Sequence, residues 1–174
     1  MSYAPIVQLH AKILTVSDSV AAGTREDGAG PLLAARLRDV GYVVVDQRVV
    51  ADGVDTVADA LRELSDGFAG LIVTTGGTGF APRDLTPEAT QSILEREAPG
   101  LSERMRDAHP YGALSRGRSG TRGRALILNT PGSPKGAVES LDAVLPMLAH
   151  ALELLRGANA PHPPEIGGST TTSS

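Results

Sequence analysis

Leu71-Ile72-Val73-Thr74-Thr75-Gly76-Gly77-Thr78-Gly79, followed by Asp84-Leu85-Thr86-Pro87-Glu88-Ala89, is the stretch from which the rest of the chain can be read. A short run of apolar and β-branched residues has the length and composition of a buried strand. It ends abruptly in three glycines within four residues. Thr86 stands where an N-cap is expected, Pro87 at the first helical position and Glu88 in the first turn, so a helix follows the loop. Glycines closing a buried strand let the backbone approach a ligand and aim N–H groups at an anion. Asp84, between loop and helix, is suited to hold a metal ion or orient a substrate beside that anion. The layout is a phosphate site with a carboxylate next to it.

Working outward, similar units recur. Lys12-Ile13-Leu14-Thr15-Val16 is a strand ending in Ser17-Asp18-Ser19, and a polar, Gly-rich loop then runs to Gly30. Pro31 opens a helix with Leu33, Leu37 and Val40 on one face, closed by Gly41. Tyr42 to Val50 is a second strand, ending at Ala51-Asp52-Gly53, and Val57, Leu61 and Leu64 mark the next helix. Leu101 to Ala108 reads as helix, Gly117 to Gly123 as loop, with room for a small β element near Leu114 to Thr121. Ala125-Leu126-Ile127-Leu128-Asn129 is a strong strand leading into Thr130-Pro131-Gly132-Ser133-Pro134-Lys135-Gly136. Val138, Leu141, Leu145, Leu148, Leu152 and Leu155 give the last helix, which Pro146 should kink or restart. Alternating strands and helices predict an α/β fold with a mostly parallel sheet and helices on both faces. Residues 1–11 form a lead-in, 12–156 one domain, and the Pro, Gly, Ser and Thr of 157–174 a disordered tail.

In open parallel sheets, ligands sit beyond the carboxyl ends of the strands. The loops after four predicted strands carry Ser17-Asp18-Ser19, Asp52-Gly53, Gly76 to Gly79 with Asp84, and Pro131 to Lys135. Parallel strands would bring all four to one edge. Taken singly, each has an ordinary alternative. The glycines could be a tight turn, Asp52 a turn or cap residue, and Asp84 a charge against the helix dipole. Ser17 and Ser133 could be loop hydroxyls and Lys135 a solvated cation. Arg118, Arg122 and Arg124 read as a solvated loop, whereas Arg116 is a candidate phosphate ligand.

Composition narrows the function. The 174 residues carry a formal charge of −4 and only 3% aromatics, so there is neither a basic footprint nor a supply of rings to stack bases. Nucleic acid is therefore not expected as a partner. No cysteine excludes a disulfide, a thiolate metal site and a cysteine nucleophile. No apolar run reaches membrane-spanning length and no secretory leader is evident, so neither a membrane nor export is expected, and the expected location is cytoplasmic. His10, His109, His150 and His162 lack metal-ligand spacing. Neither a P-loop nor a nucleophile elbow occurs.

Val16-Ser17-Asp18-Ser19, Thr74 to Gly79, Arg83-Asp84-Leu85-Thr86-Pro87-Glu88-Ala89-Thr90, Leu114-Ser115-Arg116 and Asn129 to Gly136, in this order, resemble the MoaB/Mog family of molybdenum cofactor biosynthesis, in its molybdopterin adenylyltransferase branch. Two departures are Ala29, where many relatives have Ser, and Thr130, where Leu or Met is usual. The resemblance implies a three-layer sandwich and a homotrimer. It implies adenylylation of molybdopterin by Mg-ATP, giving adenylyl-molybdopterin and pyrophosphate ahead of molybdate insertion, with a molybdate insertase as a possible partner. Asp52 and Asp84 correspond to the family's two functional aspartates and would hold Mg2+. The matching binding positions are Ser17, Asp18, Gly76, Gly77, Thr78, Gly79, Thr86, Ser115, Arg116, Pro131, Gly132, Ser133 and Lys135. A non-catalytic molybdopterin-binding paralogue or scaffold module is the main alternative. A nucleotide pyrophosphatase and a molybdate insertase are weaker ones.

Overall fold

The structure, a computed structural model, describes residues 8–157. The expectations for most of the lead-in and for the tail beyond Gly157 lie outside the described residues. Six strands form one sheet: β1 (His10–Val16), β2 (Val43–Val50), β3 (Gly70–Thr75), β4 (Arg96–Glu97), β5 (Ser119–Arg122) and β6 (Ala125–Thr130). Between and after them run α1 (Asp18–Ala21), α2 (Ala29–Asp39), α3 (Val54–Ser65), α4 (Thr86–Ile93), α5 (Pro99–Asp107) and α6 (Pro134–Leu155). A single 3-10 turn covers Gly112–Leu114.

The strand order is β2-β1-β3-β6-β5-β4. β2, β1, β3 and β6 are mutually parallel, and β5 and β4 add an antiparallel edge. Every residue of β3 and β6 is buried. This is the pattern of strands covered on both faces, which read as continuous apolar runs. β2 lies at the edge, and its exposure alternates along the strand.

The period-2 geometry of the strands divides the core in two. Ala11 and Ile13 of β1, Leu71 and Val73 of β3, and Leu126 and Leu128 of β6 point to one face, where they meet Leu33 and Leu37 of α2, Met105 of α5 and Leu141, Val144 and Leu148 of α6. Leu14, Val16, Ile72, Ala125 and Ile127 point to the other, against Val57, Leu61 and Leu64 of α3 and Ala89 and Ile93 of α4. The result is a three-layer α/β sandwich, with helices on both faces of the sheet as the alternating elements predict.

The register decides where the site lies. Val16 pairs with Val50, Thr15 with Thr75, and Thr75 with Thr130. The four parallel strands therefore end nearly level, and the loops that begin at Ser17, Ala51, Gly76 and Pro131 emerge side by side. β5 runs the opposite way, so the segment that leads into it, Ser115 to Arg118, arrives at the same edge.

Several local expectations are corrected. Thr86 is the first residue of α4, not its cap; Pro87 is the second, and no side chain caps this helix. The reason is that Thr86 N donates to Gly77 O at 3.0 Å and Ala89 N closes on Leu85 O at 3.0 Å, which starts the helix one residue early. α6 runs unbroken through Pro146. Leu141, Val144, Leu148 and Leu152 are all buried on the same face, and packing on both sides of the proline carries the helix past its missing N–H. The polar loop after β1 contains α1, started by Ser17 Oγ accepting from Val20 N. The Gly117 to Gly123 stretch contains β5, and β1 begins two residues before Lys12.

Candidate active site

The glycine loop after β3 is built for close approach. Gly76 and Gly77 have φ of 98° and 66°, a region that side chains rarely adopt. A Cβ at Gly76 would overlap the Val16 carbonyl oxygen, and one at Gly77 would overlap Thr86 Oγ1 and come within 3.0 Å of Asp52 Oδ1. The second glycine-bearing loop lies against the first: a Cβ on Gly132 would be 3.3 Å from Gly76 Cα. Four threonines and an asparagine brace this floor. Thr75 Oγ1 donates to Pro131 O at 2.7 Å and Thr130 Oγ1 to Thr74 O at 2.8 Å. Buried Asn129 donates to Thr74 Oγ1 and Thr90 Oγ1, both at 3.0 Å, and accepts from Arg118 N at 3.0 Å.

Asp52 and Asp18 are tied reciprocally. Asp18 N donates to Asp52 Oδ2 at 2.9 Å, and Asp52 N donates to Asp18 Oδ1 at 3.1 Å. Asp52 thus caps the start of α1, not of its own helix α3. Arg83 grips Asp18 with Nε at 2.6 Å and Nη2 at 3.0 Å, and reaches Asp52 O at 2.8 Å. That hydrogen-bonded guanidinium holds the Asp18 carboxyl below its ordinary value. Burial pushes the Asp52 carboxyl the other way, and the neighbouring charges of Asp18 and Asp84 add to the rise. Asp84 Oδ2 accepts from Ala81 N at 3.0 Å.

Two cavities open on this edge. One, of about 640 Å³, lies over β1 and β2 and is lined by Ser17, Asp18, Arg25, Asp27, Asp52 and Gly76 among others. The second, of about 380 Å³, lies between the ends of β3 and β6 and α5, with Thr78, Met105, Arg106, Tyr111, Leu114 and Ser115 in its wall. They meet: Gly77, Asp84, Gly132 and Ser133 line both.

Most of the residues singled out by sequence come together here, but three hold different positions from those expected. Arg116 is fully engaged, with Nε on Gly79 O at 2.9 Å, Nη2 on Asp84 O at 2.6 Å and Nη1 on the Glu88 carboxylate. It straps the glycine loop to α4. Lys135 is 82% exposed along its side chain, pairs with Glu139 at 3.7 Å and lines neither cavity. Thr86 also lines neither; its buried hydroxyl lies against Gly77 and has no hydrogen-bond partner. Sequence reasoning missed Asp27, which accepts from Thr15 Oγ1 at 2.6 Å and from Ala29 N and Gly30 N at the start of α2. An acid just ahead of a helix was the available signal. It also missed Arg25 and Arg106, whose positions have no motif around them.

Chemically, the edge offers backbone N–H groups, hydroxyls and hard oxygen donors. Among the described residues no group of three or more His, Asp or Glu could hold a metal ion by itself. The arrangement suits transfer between phosphates by positioning and charge neutralisation, without a covalent nucleophile.

Comparison with known proteins agrees. A family model described as "Probable molybdopterin binding domain" matches residues 12–150. The molybdopterin adenylyltransferase of Helicobacter pylori strain J99 is 36% identical over 156 residues, covering 86% of this chain and 89% of that protein. The molybdenum cofactor synthesis protein cinnamon of Drosophila melanogaster is 40% identical over 150 residues, but the match spans only 25% of its length. Among solved structures, the molybdopterin biosynthesis enzyme MoaB of Thermus thermophilus superposes with a TM-score of 0.82 at 49% identity, covering 86% of this chain and 98% of that one. The chain belongs to the molybdopterin-binding domain family, in its MoaB/Mog group.

Proposed function

We propose that this chain is a molybdopterin adenylyltransferase, acting in molybdenum cofactor biosynthesis. The observation that carries the reading is the pair of unlike cavities meeting at Gly77, Asp84, Gly132 and Ser133. Adenylylation brings two polyanionic substrates to one point, and two compartments with a shared seam are what such a reaction needs. The similarity to curated adenylyltransferases over most of the chain supports it.

In this reading the acidic cavity takes the nucleotide and the cavity walled by Met105, Tyr111 and Leu114 takes the pterin. An oxygen of the pterin's terminal phosphate bonds to the α-phosphorus of ATP, the bond from that phosphorus to the bridging oxygen breaks, and pyrophosphate leaves. N–H groups of Gly76 to Gly79 receive phosphate oxygens. Ser17 and Asp18 face the nucleotide, Thr78, Ser115 and Pro131 the pterin, with Gly132 and Ser133 at the seam. Arg116 acts through the loop it straps. Asp52 serves the reacting phosphates and Asp84 orients the pterin side. Mg2+ fits the donor set, because Asp52 and Asp84 are hard oxygen ligands and the Asp52 carboxylate is partly desolvated beside the charges of Asp18 and Asp84. Bound there, it would neutralise charge on the polyphosphate. A catalytic domain over residues 12–156, a homotrimer, a cytoplasmic location and hand-over to a molybdate insertase belong to the same proposal.

The test is pyrophosphate release and adenylyl-pterin formation from Mg-ATP and molybdopterin. Asp52→Asn and Asp84→Asn should each lower turnover by about 10²-fold or more, the scale for removing a preorganised charge at a reacting centre. Full turnover in both variants refutes the roles assigned. Pterin binding without any product in the unmodified protein would make it the non-catalytic paralogue.

A further inference from the structure

Arginines crowd the site edge, yet most are already balanced. Arg83 pairs with Asp18, Arg116 with Glu88 and Arg118 with Glu97. Arg106 differs. Among the described residues it has no carboxylate partner, and its one hydrogen bond is Nη1 to Gly117 O at 3.2 Å. It lines the smaller cavity, whose wall also carries Asp84 and His109.

Its place is set from both sides. Ser102, one turn earlier on the same face of α5, donates to Ser119 Oγ at 2.8 Å and fastens the helix to β5. On the far side, Gly112 comes so close to the Arg106 carbonyl that no Cβ would fit, seating the 3-10 turn on the last turn of α5. A half-buried guanidinium at the wall of a mostly apolar cavity, with no ion pair among the described residues, is placed to take an anion from the ligand.

The inference rests on the adenylyltransferase reading. There the pterin's reacting phosphate lies at the seam, by Gly77 and Ser133. The ligand's second anionic group is its ene-dithiolate, away from the seam. Met105 and Leu114 make a wall suited to sulfur, and Arg106 is the cation in it. We infer that Arg106 is the residue that binds the ene-dithiolate of molybdopterin.

Binding is measured anaerobically, without ATP, for wild type and Arg106→Gln, with native molybdopterin and with its S-alkylated form, whose sulfurs carry no charge. Native pterin should bind Arg106→Gln about 10- to 100-fold more weakly than wild type, the range for a hydrogen bond to a charged group. Alkylated pterin should bind both proteins alike, so that alkylation costs affinity in the wild type beyond what it costs in the variant. The ATP KM and the unfolding midpoint should not move. Added bulk alone would weaken both proteins equally and leave the difference between them intact. Equal losses for both ligands overturn the sulfur assignment, and no loss for either overturns any ligand role for Arg106. If wild-type protein binds neither form, the adenylyltransferase reading itself fails.

Discussion

Gly76→Ala should damage the protein through the floor of its site. Gly76 has φ of 98°, and the added methyl would overlap the Val16 carbonyl, a backbone atom at the end of β1 that cannot rotate away. Left-handed backbone costs an L-residue about 1–2 kcal/mol and overpacking about 1–3 kcal/mol, so the loss should total about 2–5 kcal/mol. For a chain of this size that lowers the unfolding midpoint on the order of 10 °C. Gly77→Ala is the informative contrast. Its φ is 66°, and its methyl meets a side-chain atom, Thr86 Oγ1, that holds no hydrogen bond. Adding Thr86→Ala should therefore relieve the worst overlap at Gly77 and leave the backbone cost of about 1–2 kcal/mol together with the tighter contact to Asp52 Oδ1. The same second change should do nothing for Gly76→Ala. Urea unfolding of the five variants in a double-mutant cycle reads both couplings. The reasoning is refuted if Gly76→Ala stays within about 0.5 kcal/mol of wild type, the scatter of inert substitutions. Rescue of both glycine variants by Thr86→Ala would refute it equally.

Asn129→Leu should cost about 2–4 kcal/mol by urea unfolding, because it removes three hydrogen bonds and strands Arg118 N, Thr74 Oγ1 and Thr90 Oγ1. The Glu88 carboxyl is held below 4.5 by its hydrogen bond from Arg116. Since the folded value is the lower one, the pair stabilises fully above pH 4.5 and its contribution fades as pH falls through the folded value. The stability difference between wild type and Glu88→Gln should therefore shrink on acidification, and a difference that grows would contradict it. Arg83→Ala removes an exposed ion pair and should leave the unfolding midpoint almost unchanged. It should nonetheless raise the KM for ATP, since Arg83 joins the Asp18 and Asp52 loops.

How much of this could be read from sequence varies with the range of the interactions. β3 and β6 announced themselves, since six consecutive buried residues leave a continuous apolar run. Once parallel, their loops had to share an edge, and Asp52, Asp84 and both glycine segments followed. What was not legible depends on partners far along the chain. Nothing local in Ala125 to Thr130 says that it lies beside Gly70 to Thr75. Arg116 looks like a free cation in its own segment and becomes a strap only because Gly79, Asp84 and Glu88 arrive beside it. β4 and β5 are too short, at two and four residues, to carry a period. Thr86 satisfied the composition of a cap while Thr86 N was drawn to Gly77 O instead.

The order of strands also governs how the protein is made. β6, the last strand synthesised among the described residues, lies in the interior of the sheet, between β3 and β5. Until Ala125 to Thr130 emerges, β3 has an unpaired edge of Gly-Leu-Ile-Val-Thr-Thr, uncharged and mostly apolar, which is the kind of edge that recruits foreign strands. Asn129 and Thr74, bonded across that seam, are 55 residues apart, so closure is a late, long-range event. A chain ending at Arg124 should therefore aggregate or be digested throughout, and the growing polypeptide is exposed to the same hazard until β6 arrives.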